Sequence, residues 1–197
     1  MNFTTLFFLF VLGTGAVQTA GATTITVSPS TQTIAIGSPF SVDLYISGLG
    51  SGGPPSLGTF DLSLGFDSAI LAFASASFGS QLDILGLGSL QFATPGSGTV
   101  NLFELSLDSI DDLNNLQLDS FALATLTFDT VGIGTSALTL NLNALGDAEA
   151  QSLSATLQNG FATVQDGASP VPEPHYLVPL GCFLLTVTFR RRIWPKG

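Results

Sequence analysis

Residues 40–47 read Phe40-Ser41-Val42-Asp43-Leu44-Tyr45-Ile46-Ser47. Phe40, Val42, Leu44 and Ile46 alternate with Ser41, Asp43, Tyr45 and Ser47. Successive side chains of a strand point to opposite faces, so one face of this stretch meets a core and the other meets water. The same period recurs outward in both directions. Phe60, Leu62, Leu64 and Phe66 alternate with Asp61, Ser63 and Gly65, and Leu138, Leu140 and Leu142 alternate with Thr139, Asn141 and Asn143. Leu102, Glu104, Leu105 and Leu107 mark another strand. Leu123 and Ala124 break the phase ahead of Leu126 and Phe128, as a bulge would.

Turn-forming clusters separate these runs: Gly48 to Pro55, Gly79 to Gly88, Pro95 to Gly98, Gly132 to Gly134, and Asn159-Gly160. Gly and Asn tolerate positive φ, and Pro fixes φ. Helix is scarce, with one turn expected over Asp108 to Leu116. About nine short strands at this spacing predict an all-β chain, an antiparallel β-sandwich or barrel with a phenylalanine-rich inward face.

The charges are unevenly placed. All Lys and Arg lie at Arg190, Arg191, Arg192 and Lys196, whereas 13 of the 14 acidic residues precede Glu173. The bulk of the chain is therefore strongly acidic and carries no basic side chain. That excludes nucleic acid, whose binding depends on Lys and Arg neutralising phosphates. It disfavours anionic membrane surfaces, and it permits divalent cations. The single cysteine, Cys182, lies near the C-terminus, so a disulfide within the strand-rich region is impossible and packing must supply its stability. Cys182 itself is either an inert thiol or a lipidation site.

Both ends differ from the middle. Residues 1–22 have the form of a secretory signal peptide: an apolar core Leu6-Phe7-Phe8-Leu9-Phe10-Val11-Leu12, then small residues Ala20 and Ala22 at the cleavage positions. The n-region Asn2 to Thr5 lacks the usual basic charge. Residues 167–197 form a tail. Val171-Pro172-Glu173-Pro174 cannot continue a helix or a ladder and reads as an exposed joint. A membrane segment follows over 175–189, then the Arg190-Arg191-Arg192 cluster, which favours the cytoplasmic side. Tyr176 to Phe189 is 14 residues, about 21 Å as a helix against a hydrocarbon core of roughly 30 Å. Such a segment suits a transient anchor; an ordinary C-terminal anchor on a proline-rich stem is the alternative. The remaining residues, 23–166, form one domain.

The order Val-Pro-Glu-Pro, short apolar helix, three arginines resembles the PEP-CTERM sorting signal of Gram-negative bacteria. The resemblance implies that an exosortase-type enzyme recognises Val171, Pro172, Glu173 and Pro174, with Arg190, Arg191 and Arg192 as the retaining cluster. The chain would then be exported, held transiently in the inner membrane, and passed to the cell surface or extracellular matrix.

A second resemblance covers about Thr26 to Val164. It rests on Ile36-Gly37-Ser38-Pro39-Phe40-Ser41-Val42, on Leu57-Gly58-Thr59-Phe60-Asp61-Leu62-Ser63-Leu64-Gly65-Phe66-Asp67, on the run from Leu123 to Leu138, and on Asn159-Gly160-Phe161-Ala162-Thr163-Val164. In that order these pieces resemble the cohesin domain, which implies a β-sandwich of jelly-roll topology and binding to dockerin modules. No dockerin-contact motif is legible in the sequence.

Catalytic chemistry is sparse. The sole histidine, His175, sits in the tail, which removes Ser-His-Asp and Cys-His arrangements from the domain. There is no Cys/His cluster for zinc and no phosphate-binding glycine loop ahead of a helix. Glu104 with Asp108, or Asp147 with Glu149, could serve as a glycosidase pair only in the sense that they are acids; exposed acids on a solvent face are the plainer expectation. Asp108, Asp111 and Asp112, in a stretch with Asn114, Asn115 and Asp119, form the densest oxygen-ligand cluster and the one candidate calcium site. Calcium is otherwise the sole cofactor in view. The domain has no Trp, its Tyr45 falls on a polar face, and its phenylalanines fall mostly in core phase, so a flat aromatic sugar platform is not expected.

The sequence thus points to an exported non-catalytic module that binds an extracellular polysaccharide or a dockerin-like protein. A passive structural coat protein and a secreted polysaccharide-active enzyme are the alternatives.

Overall fold

The structure is a computed structural model, and it describes residues 22–167. The signal peptide with Ala20, and the tail with Val171, Pro172, Glu173, Pro174 and Arg190 to Arg192, lie outside the described residues; Ala22 is their first member.

Eleven strands and one short helix follow in order: β1 (Thr24–Ser28), β2 (Thr31–Ala35), β3 (Pro39–Ser47), β4 (Leu57–Gly65), β5 (Leu71–Phe78), β6 (Ser89–Gly96), β7 (Thr99–Ser106), α1 (Ile110–Leu116), β8 (Ser120–Thr130), β9 (Gly134–Asp147), β10 (Thr156–Gln158) and β11 (Gly160–Gln165). They build two sheets, one ordered β10-β1-β3-β8-β5 and the other β2-β11-β9-β4-β7-β6. The expected sandwich is present, with two refinements. The strands number more than nine because β2 and β10 add short pieces that alternation over five or three residues cannot reveal. Pairing is antiparallel except at two edges, where β10 runs parallel to β1 and β2 parallel to β11.

The alternation read from the sequence is the alternation of burial. Phe40, Val42, Leu44 and Ile46 are buried on β3, and Phe60, Leu62 and Leu64 on β4. Phe128 on β8 sits at the centre of an aromatic group. It stacks on Phe40 at 5.7 Å between centroids and takes Phe66 and Phe73 edge-on at 5.1 and 6.0 Å. Each such pair contributes about 0.5–1.5 kcal/mol beyond the area it removes from water.

The phase break at Leu123 is a bulge: Leu44 pairs with Ala124 and Tyr45 with Ala122, which leaves Leu123 as the extra residue. It lets both Leu123 and Ala124 turn inward. The turn expected at Pro95 to Gly98 is tighter than read. β6 runs through Gly96, and Ser97-Gly98 alone close the hairpin to β7, with Gly98 at φ +69° where a side chain would be strained. Asn159 is likewise the single residue between β10 and β11, so the chain changes sheets there; its Oδ1 accepts the Leu140 N–H at 2.9 Å.

α1 replaces the expected single turn. Ser109 caps it by accepting the Asp112 N–H. At its far end buried Gln117 behaves like a piece of strand. Its Oε1 accepts the Leu57 N–H at 2.6 Å, and its Nε2 donates to the carbonyls of Leu57 and Gln81, each at 2.9 Å. One side chain thus ties the helix, the start of β4 and the β5–β6 loop together. Among the described residues no helix is long and apolar enough to cross a membrane.

Candidate functional site

The outer face of the six-stranded sheet departs from the polar-outside rule. β6 and β7 pair so that Leu90 lies opposite Leu105 and Phe92 opposite Phe103. Phe92 is 59% exposed, Leu90 46% and Leu105 36%. The two phenylalanine rings lie 6.1 Å apart at 39°. Exposed Leu87, in the loop that enters β6, and exposed Leu107, just past β7, flank the same end of the pair. Single exposed apolar residues are ordinary; a run of them across two paired strands marks a contact surface.

Across the sheet the face turns polar. Asp61 on β4 pairs with Phe103 on β7 and with Ala144 on β9. Its Oδ1 accepts Asn101 Nδ2 at 2.6 Å and Asn143 Nδ2 at 2.9 Å, and both amides also reach Ser63 Oγ at 3.2 Å. Asn143 is the extra residue of a bulge on β9, between the Asp61 and Leu62 pairings, and the bulge brings its amide to Asp61. The face is therefore an apolar half on β6 and β7 beside a hydrogen-bonded amide and carboxylate row on β7, β4 and β9.

The expectation that the phenylalanines fall in core phase fails here. Phe103 and Phe92 follow the period correctly but occupy the solvent side of the two strands nearest the sheet edge. β6 has exposed residues at nearly every position, so its alternation carries no burial signal. The expectation that Glu104 is a solvent-face acid fails for the complementary reason. Glu104 shares its phase with Val100 and Leu102 and is fully buried, while Leu105 and Leu107 point outward. Reading one strand with a leucine on each side of Glu104, the sequence allowed either phase.

The candidate carboxylates hold separate parts of the structure. Asp108 Oδ2 accepts the Ile84 N–H at 2.7 Å. Asp112 Oδ2 accepts Ser109 Oγ at 2.6 Å within the helix cap, and Asp111 sits in the exposed first turn of α1. Asp108 and Asp112 are thus engaged separately, and among the described residues no group of three or more His, Cys, Asp or Glu is arranged to hold a metal ion. Asp147 and Glu149 belong to a turn in which Asp147 Oδ1 accepts the Glu149 and Gln151 N–H groups. The structure brings together a different pair, Asp108 and Asp147, in a cavity of about 120 Å³ also lined by Leu105 and Leu113. That holds about four waters, below the roughly 300 Å³ at which ligand pockets begin. Tyr45 is half-exposed on the other sheet, as its phase implied.

No family model matches the sequence, and no curated protein matches it either. Solved structures do. A non-cellulosomal cohesin from the archaeon Archaeoglobus fulgidus is 20% identical, covers 75% of this chain and 94% of its own, and superposes with a TM-score of 0.56. The seventh ScaB type I cohesin from Pseudobacteroides cellulosolvens is 14% identical over 79% of this chain and 99% of its own, with a TM-score of 0.60. A type I cohesin–dockerin complex from Clostridium thermocellum gives 11% identity, 74% and 100% coverage, and a TM-score of 0.60. The described residues thus have the cohesin fold.

The fold shifts the titration of Glu104. Its Oε1 accepts Ser89 Oγ at 2.7 Å and Gln91 Nε2 at 2.8 Å, and its Oε2 has no partner among the described residues. Burial raises its pKa above the ordinary carboxylate value; the bonds from Ser89 and Gln91 lower it in part, and the like charge of Asp83 raises it again. The unfolded chain therefore loses this proton before the folded one does. Stability is unaffected below the unfolded pKa, declines as pH climbs from there to the folded pKa, and stays lower above it. Thermal unfolding should show wild type losing stability from pH 4.5 to 7.5. Glu104→Gln should flatten that loss and melt about 2–4 °C higher at pH 7.5. A Glu104→Gln chain that melts lower at pH 7.5 with the wild-type slope would contradict it.

Proposed function

We propose that this chain is an exported, non-catalytic interaction module that docks a dockerin-like protein partner through the outer face of its six-stranded sheet. The observation that carries this is the cluster of exposed Leu90, Phe92 and Leu105 with partly exposed Phe103 on a pair of adjacent strands. Aromatic and aliphatic groups that leave water together are what give a protein interface its affinity. The shared fold adds support, since solved relatives of that fold include cohesin–dockerin complexes. The absence of any Lys or Arg before Arg190 limits the partner to a neutral or basic surface, and it speaks against nucleic acid.

A second reading, binding of an extracellular polysaccharide, is favoured by one specific feature. The Asn101, Asp61, Ser63 and Asn143 row lies beside Phe103 and Phe92, and sugar sites combine ring faces with fixed polar groups. Enzymatic activity is disfavoured by the small size of the cavity that joins Asp108 and Asp147. Export through residues 1–22, recognition of Val171 to Pro174 by an exosortase-type enzyme, and transient residence in the inner membrane complete the proposal. They rest on the sequence of the two ends.

Two measurements test it. Immobilised chain is challenged with the protein and polysaccharide fractions of its native extracellular medium, using wild type, Leu90→Asp/Phe92→Asp, and Val131→Asp/Ile133→Asp on the distant β8–β9 turn. Protein retention should fall by about tenfold or more in the first variant and persist in the second. Equal retention by all three would overturn the docking face, and loss confined to the polysaccharide fraction would select the second reading. The intact mass of the protein recovered from that medium should end near Pro172 to Pro174, and a mass that retains Arg190 to Gly197 would contradict sorting.

A further inference from the structure

The docking face stands on an edge strand, and an ionisable group holds the inner side of that strand. Among the described residues β6 pairs on one side only, with β7. Its outward residues Leu90 and Phe92 belong to the face. Its alternate residues Ser89 and Gln91 both bind Glu104 Oε1, and Gln91 Nε2 also reaches Ser89 Oγ at 2.9 Å. On the far side of β7, Glu104 pairs with apolar Phe60 of β4. The titratable group that bears on it is Asp83 of the β5–β6 loop, which has the same sign. Asp83 Oδ1 is itself held by the Gly88 N–H at 2.8 Å, one residue before β6 begins. No Lys or Arg precedes Arg190 and the sole histidine is His175, so residues 22–167 contain no cation that could neutralise this site.

A buried carboxylate without a counter-charge is tolerated as the neutral acid and is unfavourable as the anion. Here the anion would place an unpartnered oxygen, Oε2, against the sandwich interior. Its relief lies in water, and parting edge strand β6 from β7 would admit it, since exposed Gln91 touches the carboxylate directly. Edge strands with few buried side chains are the elements that open most readily, and every β6 residue after Ser89 is exposed.

We propose that Glu104 is a proton-operated latch on the docking face: protonated, it seats β6 and holds Leu90 and Phe92 in place, and ionised, it lets β6 open. The consequence for docking rests on the reading above, but the latch is tested without any partner, so the two can fail separately. Amide hydrogen exchange on the full chain is measured at pH 4.5 and 7.5, with rates corrected for intrinsic exchange. The amides of Ser89 to Thr94 in wild type should open several-fold more often at the higher pH, because the closed state holds the Glu104 proton more tightly than the open state does. Glu104→Gln should open equally at both. A second variant, Gln91→Met, keeps the carboxylate but removes a bond that favours its charged form, so its ratio between the two pH values should exceed that of wild type. Wild-type protection that does not change with pH, a Glu104→Gln chain with the wild-type rise, or a Gln91→Met ratio equal to or below that of wild type would each overturn the latch.

Discussion

The two sheets of this domain are held together without a single cation. Every Lys and Arg lies at or beyond Arg190, and the one cysteine is Cys182, so neither an ion pair nor a disulfide can form within residues 22–167. What remains is apolar interdigitation between the inner faces, centred on Phe128 with Phe40, Phe66 and Phe73 around it. The constraint reaches every polar group inside as well. Where another protein would neutralise a buried carboxylate with arginine, this one satisfies Glu104 with a hydroxyl and an amide and leaves one oxygen bare. Where a loop needs fixing, Gln117 does it with both ends of a neutral amide. Neutral donors make modest bonds, about 0.5–1.5 kcal/mol each, so the polar interior adds specificity to a stability that comes from burial.

The same constraint shapes the surface. An acidic domain without bases repels its own copies and other acidic partners, which makes the apolar half of the six-stranded sheet's outer face the natural place for attraction. The face depends on local irregularities. The bulge at Asn143 brings an amide to Asp61, and the Ser97-Gly98 hairpin sets Phe92 directly opposite Phe103. Among the acids, Asp112 belongs to the helix cap, and Asp83 and Asp147 hold turns.

Much of this was legible in the sequence because burial follows period two wherever both neighbours of a strand are present. β3, β4 and β9 read correctly, and so did the phase break at Leu123, since one inserted residue shifts every side chain after it. β6 was not legible: an edge strand with one face open and the other carrying polar Ser89 and Gln91 has no hydrophobic alternation to read. Glu104 was misplaced because leucines occupy both phases of β7, and period alone cannot say which faces the core. Gln117 carried no signal either, since its role depends on Leu57 and Gln81, distant in sequence. The parallel pairing of β2 and β10 was beyond reach for the same reason.

The central claim is that the outer face of β6 and β7 is where this molecule meets its partner. Hydroxyl-radical footprinting of the full chain, alone and with its native extracellular fraction, tests it directly, because oxidation reports each side chain separately. The account predicts that Leu90, Phe92 and Leu105 become protected while Val131 and Ile133, comparably exposed on the β8–β9 turn, do not. Protection of Val131 or Ile133 with Phe92 left reactive, or no protection anywhere, would contradict it.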